Sequence, residues 1–220
     1  MSSDGPRPFR PPAPEKAVIA GPVGPLEAVY EVPEGYSGRD AAVVCHPHPL
    51  YGGTMQNKVV HSTARALQER GFATVRFNFR GVGASAGTFD DGRGETDDAL
   101  AVYDALAARF PGARLTLAGF SFGAFVAYRV AELREVARLY TIAPPVGRFD
   151  FARYPAPRAP WIVIQGDRDE LVDHAQVLAW TGSVSPPPTV VIIAGAEHFF
   201  HGRLNELKAA VQAALAAGRG

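Results

Sequence analysis

The stretch that most constrains this chain runs from Arg114 to Gly123, RLTLAGFSFG, and leads directly into AFVAYRVAEL. An apolar, strand-like run breaks at Gly119-Phe120-Ser121-Phe122-Gly123 and continues as a segment with helical spacing of apolar residues. Glycines two before and two after a serine leave room for a strained backbone, so a strand can turn sharply into a helix with the hydroxyl at its tip. The pattern is short, and an ordinary strand-to-helix turn can match it. The flanking strand and helix are what make Ser121 a candidate nucleophile.

The rest of the chain reads as alternating strands and helices. KAVIAG (16–21) and LEAVYEV (26–32), separated by Gly-Pro-Val-Gly-Pro, predict an antiparallel edge. AAVVC (41–45) predicts a strand buried on both faces, residues 57–70 a helix stopped by Gly71, and FATVRFNF (72–79) another strand. Glu95 to Phe110 predicts a helix ended by Pro111-Gly112. After the serine's helix come strands VARLYTIA, PWIVIQG and TVVIIAG, and then a closing helix over 204–217. Alternation of this kind predicts an α/β fold with a mostly parallel sheet and helices on both faces. Residues 1–15, rich in proline with little to bury, predict a loosely docked tail, and 16–220 one domain.

Lys plus Arg equal Asp plus Glu at 22 each among 220 residues, so nothing in the charge balance points to nucleic acid or to an anionic membrane. Cys45 is the only cysteine and cannot form an internal disulfide. The N-terminus lacks the apolar core of a secretory signal and no run is long enough to span a bilayer, so a cytoplasmic location is expected. Oligomeric state is not legible. The loop Arg80-Gly81-Val82-Gly83-Ala84-Ser85-Ala86-Gly87 has glycines but neither the ending of a P-loop nor the third glycine and later acid of a dinucleotide site, so no nucleotide is expected.

In open α/β sheets, active sites gather at the carboxyl ends of the strands. A serine nucleophile needs an imidazole to take its proton, and the imidazolium needs a carboxylate on its other nitrogen. Gly166-Asp167-Arg168-Asp169-Glu170 follows one later strand and Ala196-Glu197-His198-Phe199-Phe200 the next. Alone, the first is an ordinary solvated turn and the second ordinary core-edge packing. Their placement after successive strands in the order serine, acid, histidine makes His198 the base and Asp169 the acid, with Asp167 and Asp173 as fallbacks.

Acyl transfer also needs N–H groups aimed at the developing oxyanion. One is expected from Phe122, the residue after the serine. The second should come from the loop His46-Pro47-His48-Pro49-Leu50, where the prolines carry no N–H; Leu50 is favoured, with His48 as the alternative. Tyr51, Phe120, Phe199 and Phe200 are candidates for an apolar pocket wall. Cys45, His46, His48 and His61 resemble metal ligands on paper, but adjacent strand residues point to opposite faces and His61 lies within a helix, so no metal is expected.

These residues resemble the α/β-hydrolase superfamily: Gly119 to Gly123, Asp169 and His198 in order, the His-Pro loop, and Arg80 to Ser85. The run HPHPLYGGTMQNKVV (46–60) is similar to a group of small bacterial serine hydrolases known mostly by fold. The resemblance implies an eight-stranded sheet with the second strand antiparallel and a Ser121-His198-Asp169 triad. It also implies hydrolysis of an ester-like bond through an acyl-enzyme, without a cofactor. Thioesterases and peptidases use the same triad, and a binding protein can keep the fold without the chemistry. Many relatives insert a helical cap between the sixth and seventh strands. Here Ala143 to Ala159 is short and rich in proline, so an open site for small ester or thioester substrates is expected. Relatives acting on dienelactone carry cysteine where this chain has Ser121, which argues against that chemistry.

Overall fold

A computed structural model describes residues 9–217, with side chains described to residue 215. The first eight residues of the expected tail lie outside this range; residues 9–14 carry no regular structure. The strands are β1 (Glu15–Gly21), β2 (Gly24–Glu31), β3 (Asp40–Cys45), β4 (Ala73–Phe77), β5 (Arg114–Phe120), β6 (Arg138–Ile142), β7 (Trp161–Gly166) and β8 (Thr189–Ile193). The helices are α1 (Lys58–Gln68), α2 (Arg93–Arg109), α3 (Phe122–Leu133), α4 (His174–Ser183) and α5 (Leu204–Ala217).

The strands form one sheet in the order β1-β2-β4-β3-β5-β6-β7-β8. β2 runs antiparallel to both β1 and β4, and every pairing from β4 to β8 is parallel. The crossing of β3 and β4 in this order places β3 beside β5, with Cys45 opposite Gly119. The two chain segments that leave these strand ends therefore start side by side.

Alternating side chains along the central strands feed two apolar cores. Val43, Leu117 and Val163 pack with α2, α3 and Val177 of α4, while Val44, Ala118 and Ile164 pack with α1 and α5. Strands β3 and β5 are apolar on both faces because helices cover both, as the continuous hydrophobic runs predict.

Between β6 and β7 the described residues form only a 3-10 turn, Phe151–Arg153, so no cap rises there, as the short proline-rich stretch predicts. One expectation needs correction: α4 lies where no helix was expected. It is short, and its buried residues are Val177 and Thr181, too few to leave an amphipathic stripe in the sequence. Its start signal was present, since Asp173 caps it by accepting from the Ala175 N–H at 2.9 Å.

Candidate active site

The turn from β5 into α3 is forced by contacts that admit no side chain. A Cβ on Gly119 would lie 2.0 Å from the Gly123 carbonyl oxygen, and one on Gly123 would lie 2.5 Å from the carbonyl oxygens of Cys45 and His46. Strand and helix thus touch backbone to backbone, and α3 starts against the end of β3. Ser121 sits at the apex with φ 54° and ψ −120°, a costly conformation for a non-glycine residue that persists only where the surroundings fix it. Its N–H donates to Ile142 O at 2.8 Å, tying the apex to the end of β6.

Three side chains from separate loops converge there. His198 Nε2 lies 3.1 Å from Ser121 Oγ. On its other side, His198 Nδ1 lies 2.8 Å from Asp169 Oδ2 and 3.0 Å from Oδ1. The imidazole is buried, with the Phe120 and Phe199 rings at 5.0 and 5.1 Å, and its backbone N–H donates to Glu170 Oε2 at 3.2 Å. Asp169 Oδ1 accepts from the N–H groups of Leu171 and Val172 at 2.9 and 2.8 Å, and Oδ2 from Gln165 Nε2 at 3.0 Å. Burial pushes the Asp169 carboxyl upward, but the His198 hydrogen bond and charge, with the two backbone N–H groups, outweigh it and hold the group below its ordinary value.

The fallback acids are engaged elsewhere. Asp167 accepts from the Gly195 N–H at 2.6 Å, which fastens the loops after β7 and β8 to each other, and Asp173 caps α4.

The His-Pro loop lies across the cleft from His198. His46 is buried; its Nδ1–H donates to Pro47 O at 2.6 Å while Nε2 accepts from the Phe79 N–H at 3.0 Å. Burial lowers its pKa to about 4, with the Pro47 bond opposing, so the ring stays neutral and bridges the segment after β4 to the loop. The expected Leu50 donor is not placed for an oxyanion. Its N–H already donates to His48 Nδ1 at 3.2 Å, and it is 67% exposed outside the cleft lining. The alternative, His48, lines the cleft beside Phe122, and the N–H groups of both meet no protein acceptor among the described residues. Leu50 lost its N–H to the side chain two residues before it, a local cap that spacing alone does not reveal.

Ser121 and His198 open into a cleft of about 480 Å³ lined by Tyr51, Phe122, Phe149, Leu171 and Phe199, with Asn57 and Arg148 among its polar groups. Tyr51 and Phe199 both line this cleft. Phe120 and Phe200 do not: both are buried in the core on the α1/α5 side, one beneath His198 and the other at a turn with φ 53°. Phe149 and Leu171 were missed. Phe149 comes from the proline-rich connection after β6, where no periodicity marks a half-buried aromatic. Cys45, His46, His48 and His61 point apart; Cys45 is buried in the core and His61 Nε2 lies 2.8 Å from an Arg76 nitrogen. Among the described residues, no three His, Cys, Asp or Glu side chains come together to hold a metal ion.

Fold and site together define a serine-hydrolase arrangement on an α/β sheet without a lid. The family described as "Alpha/beta hydrolase domain" matches residues 41–216. The crystal structure of XC6422 from Xanthomonas campestris, described as an a/b serine hydrolase without lid, shares 45% identity at a TM-score of 0.89, covering 96% of this chain and 97% of that one. An alpha-beta serine hydrolase homologue from Coxiella burnetii shares 46% identity at a TM-score of 0.88, covering 91% and 97%. The uncharacterized protein RP471 of Rickettsia prowazekii is 37% identical over 201 residues, 87% of this chain and 84% of its own length. The chain belongs to the alpha/beta hydrolase family.

Proposed function

We propose that this protein hydrolyses small carboxylic esters by a two-step acyl transfer. The reading rests on one observation: a single imidazole lies 3.1 Å from Ser121 Oγ and, through its other nitrogen, 2.8 Å from Asp169. A serine hydroxyl is a weak nucleophile at neutral pH, and a base at that distance takes its proton as Oγ attacks the carbonyl carbon. Asp169 fixes the tautomer with the proton on Nδ1, leaving Nε2 free to accept, and steadies the imidazolium that results.

Charge then develops on the former carbonyl oxygen. The N–H groups of Phe122 and His48 are the donors we assign to it, Phe122 with the added field of the α3 N-terminus. One such donor contributes about 3 kcal/mol in the transition state. As the tetrahedral intermediate collapses, His198 passes its proton to the leaving alcohol; water, activated by the same imidazole, releases the acid. The chemistry needs no cofactor. The apolar cleft takes the acyl side, and its modest volume without a cap favours short or accessible acyl groups. The single unpaired cysteine fits a cytoplasmic protein, and no helix among the described residues is long and apolar enough to cross a membrane.

Purified protein assayed against matched ester, thioester and amide panels of increasing acyl length tests this. Short esters should give the highest kcat/KM. A preference for amides or thioesters, or for long acyl chains, would replace the substrate class while leaving the site intact.

A further inference from the structure

Gln165, the penultimate residue of β7, is fully buried. Two residues earlier Val163 faces the apolar core beneath α3, and a strand's period of two puts Gln165 on the same face. An apolar side chain would serve packing there. The amide instead meets three acceptors with its nitrogen: Asp169 Oδ2 at 3.0 Å, Gly166 O at 3.2 Å and Val172 O at 3.3 Å. Since all three can only accept, the nitrogen must occupy that end, which leaves Oε1 buried with no partner among the described residues.

The two oxygens of Asp169 are held differently. Oδ1 is fixed by two backbone N–H groups of its own loop, whereas Oδ2, the oxygen nearer to His198 Nδ1, has Gln165 as its one other donor. The carboxylate's terminal torsion is soft, so these donors set its plane. We propose that Gln165 is a positioning residue of the hydrolytic site: its amide N–H holds Asp169 Oδ2 where the imidazole requires it and pins the acid's loop to the end of β7. This rests on the Ser121-His198-Asp169 reading above.

The test compares kcat, KM and thermal midpoint of wild type, Gln165→Leu and Gln165→Glu across pH 5 to 9, with Ser121→Ala as the inactive reference. Gln165→Leu should lower kcat about 10- to 100-fold with KM nearly unchanged, measured well below a thermal midpoint that falls modestly because the donor to three acceptors is lost. In Gln165→Glu a protonated carboxyl can still donate to Asp169; ionised, it repels it. Its kcat relative to wild type should therefore be highest at acidic pH and decline as pH rises, a signature that loop support alone would not produce. Wild-type kcat in Gln165→Leu would overturn the proposal. So would losses in both variants that track their thermal midpoints and keep the wild-type pH profile. If Ser121→Ala keeps wild-type activity, the underlying triad reading fails instead.

Discussion

The serine corner and the acid–base corner of this site are built by opposite means. At the serine corner, backbone touches backbone: Gly119 and Gly123 leave no room for a Cβ, and the strained Ser121 is held by the start of α3 and a bond to β6. At the acid–base corner, side chains and loop N–H groups from residues 165–172 and 197–198 hold one another by hydrogen bonds. The first arrangement tolerates no added atom. The second is an assembly of individually modest bonds, each of which one substitution can remove.

The largest expected effect falls on the serine. Ser121→Ala should lower kcat by about six orders of magnitude with the fold intact, measured as steady-state hydrolysis beside a circular-dichroism melt. At the other corner, Asp169→Ala should cost about 10⁴-fold in kcat, whereas Asp167→Ala should cost stability and leave most of the activity. Equal losses in the two aspartate variants would erase the distinction drawn between them.

Gly123→Ala attacks the serine corner's construction instead of its chemistry. A Cβ 2.5 Å from two carbonyl oxygens has no flexible neighbour to yield, so a loss of more than about 4 kcal/mol, or failure to fold, is expected in chemical denaturation.

A smaller effect appears in pH dependence through His46. Its folded pKa of about 4 lies below the unfolded value near 6.5, so the unfolded chain binds the proton first as pH falls. Its neutral form therefore supports the fold fully above about pH 6.5, and up to about 3 kcal/mol is lost as pH falls from there to about 4. Asp169, whose folded value is depressed, contributes stability that is present above its ordinary carboxylate value and is lost in a lower window, as pH falls from there through the folded value. Melts of wild type and His46→Gln between pH 7 and 4.5 check this: the variant should lose stability less steeply, and parallel slopes would contradict it. Smallest of all, Phe149→Ala should widen the cleft and shift acyl-length preference upward by a few-fold in kcat/KM, read from the same ester panel.

The same contrast explains what could be read from residues alone. The serine corner is contiguous, and the glycine spacing that makes it sterically possible is itself the signal. His198 could be paired with Ser121 because it follows a strand. The choice among Asp167, Asp169 and Asp173 has no local signal, since it depends on which carboxylate the Gly195 N–H and the first turn of α4 already occupy. His48 and Leu50 were likewise separated only by a side chain folding back on its own loop. Phe120 and Phe200 flank site residues in sequence yet point into the core, because neighbours on a strand or turn diverge in direction. Gln165 could not be found as a partner of Asp169 without the loop that returns to it.

Intact-mass analysis after treatment with a serine-directed fluorophosphonate reports an activated Ser121 hydroxyl without needing the substrate. One adduct per chain is expected, mapped by peptide mass to Ser121, absent in Ser121→Ala and sharply slowed in His198→Ala. A folded wild-type protein that takes no adduct, or an adduct that persists in Ser121→Ala, would contradict Ser121 as the nucleophile.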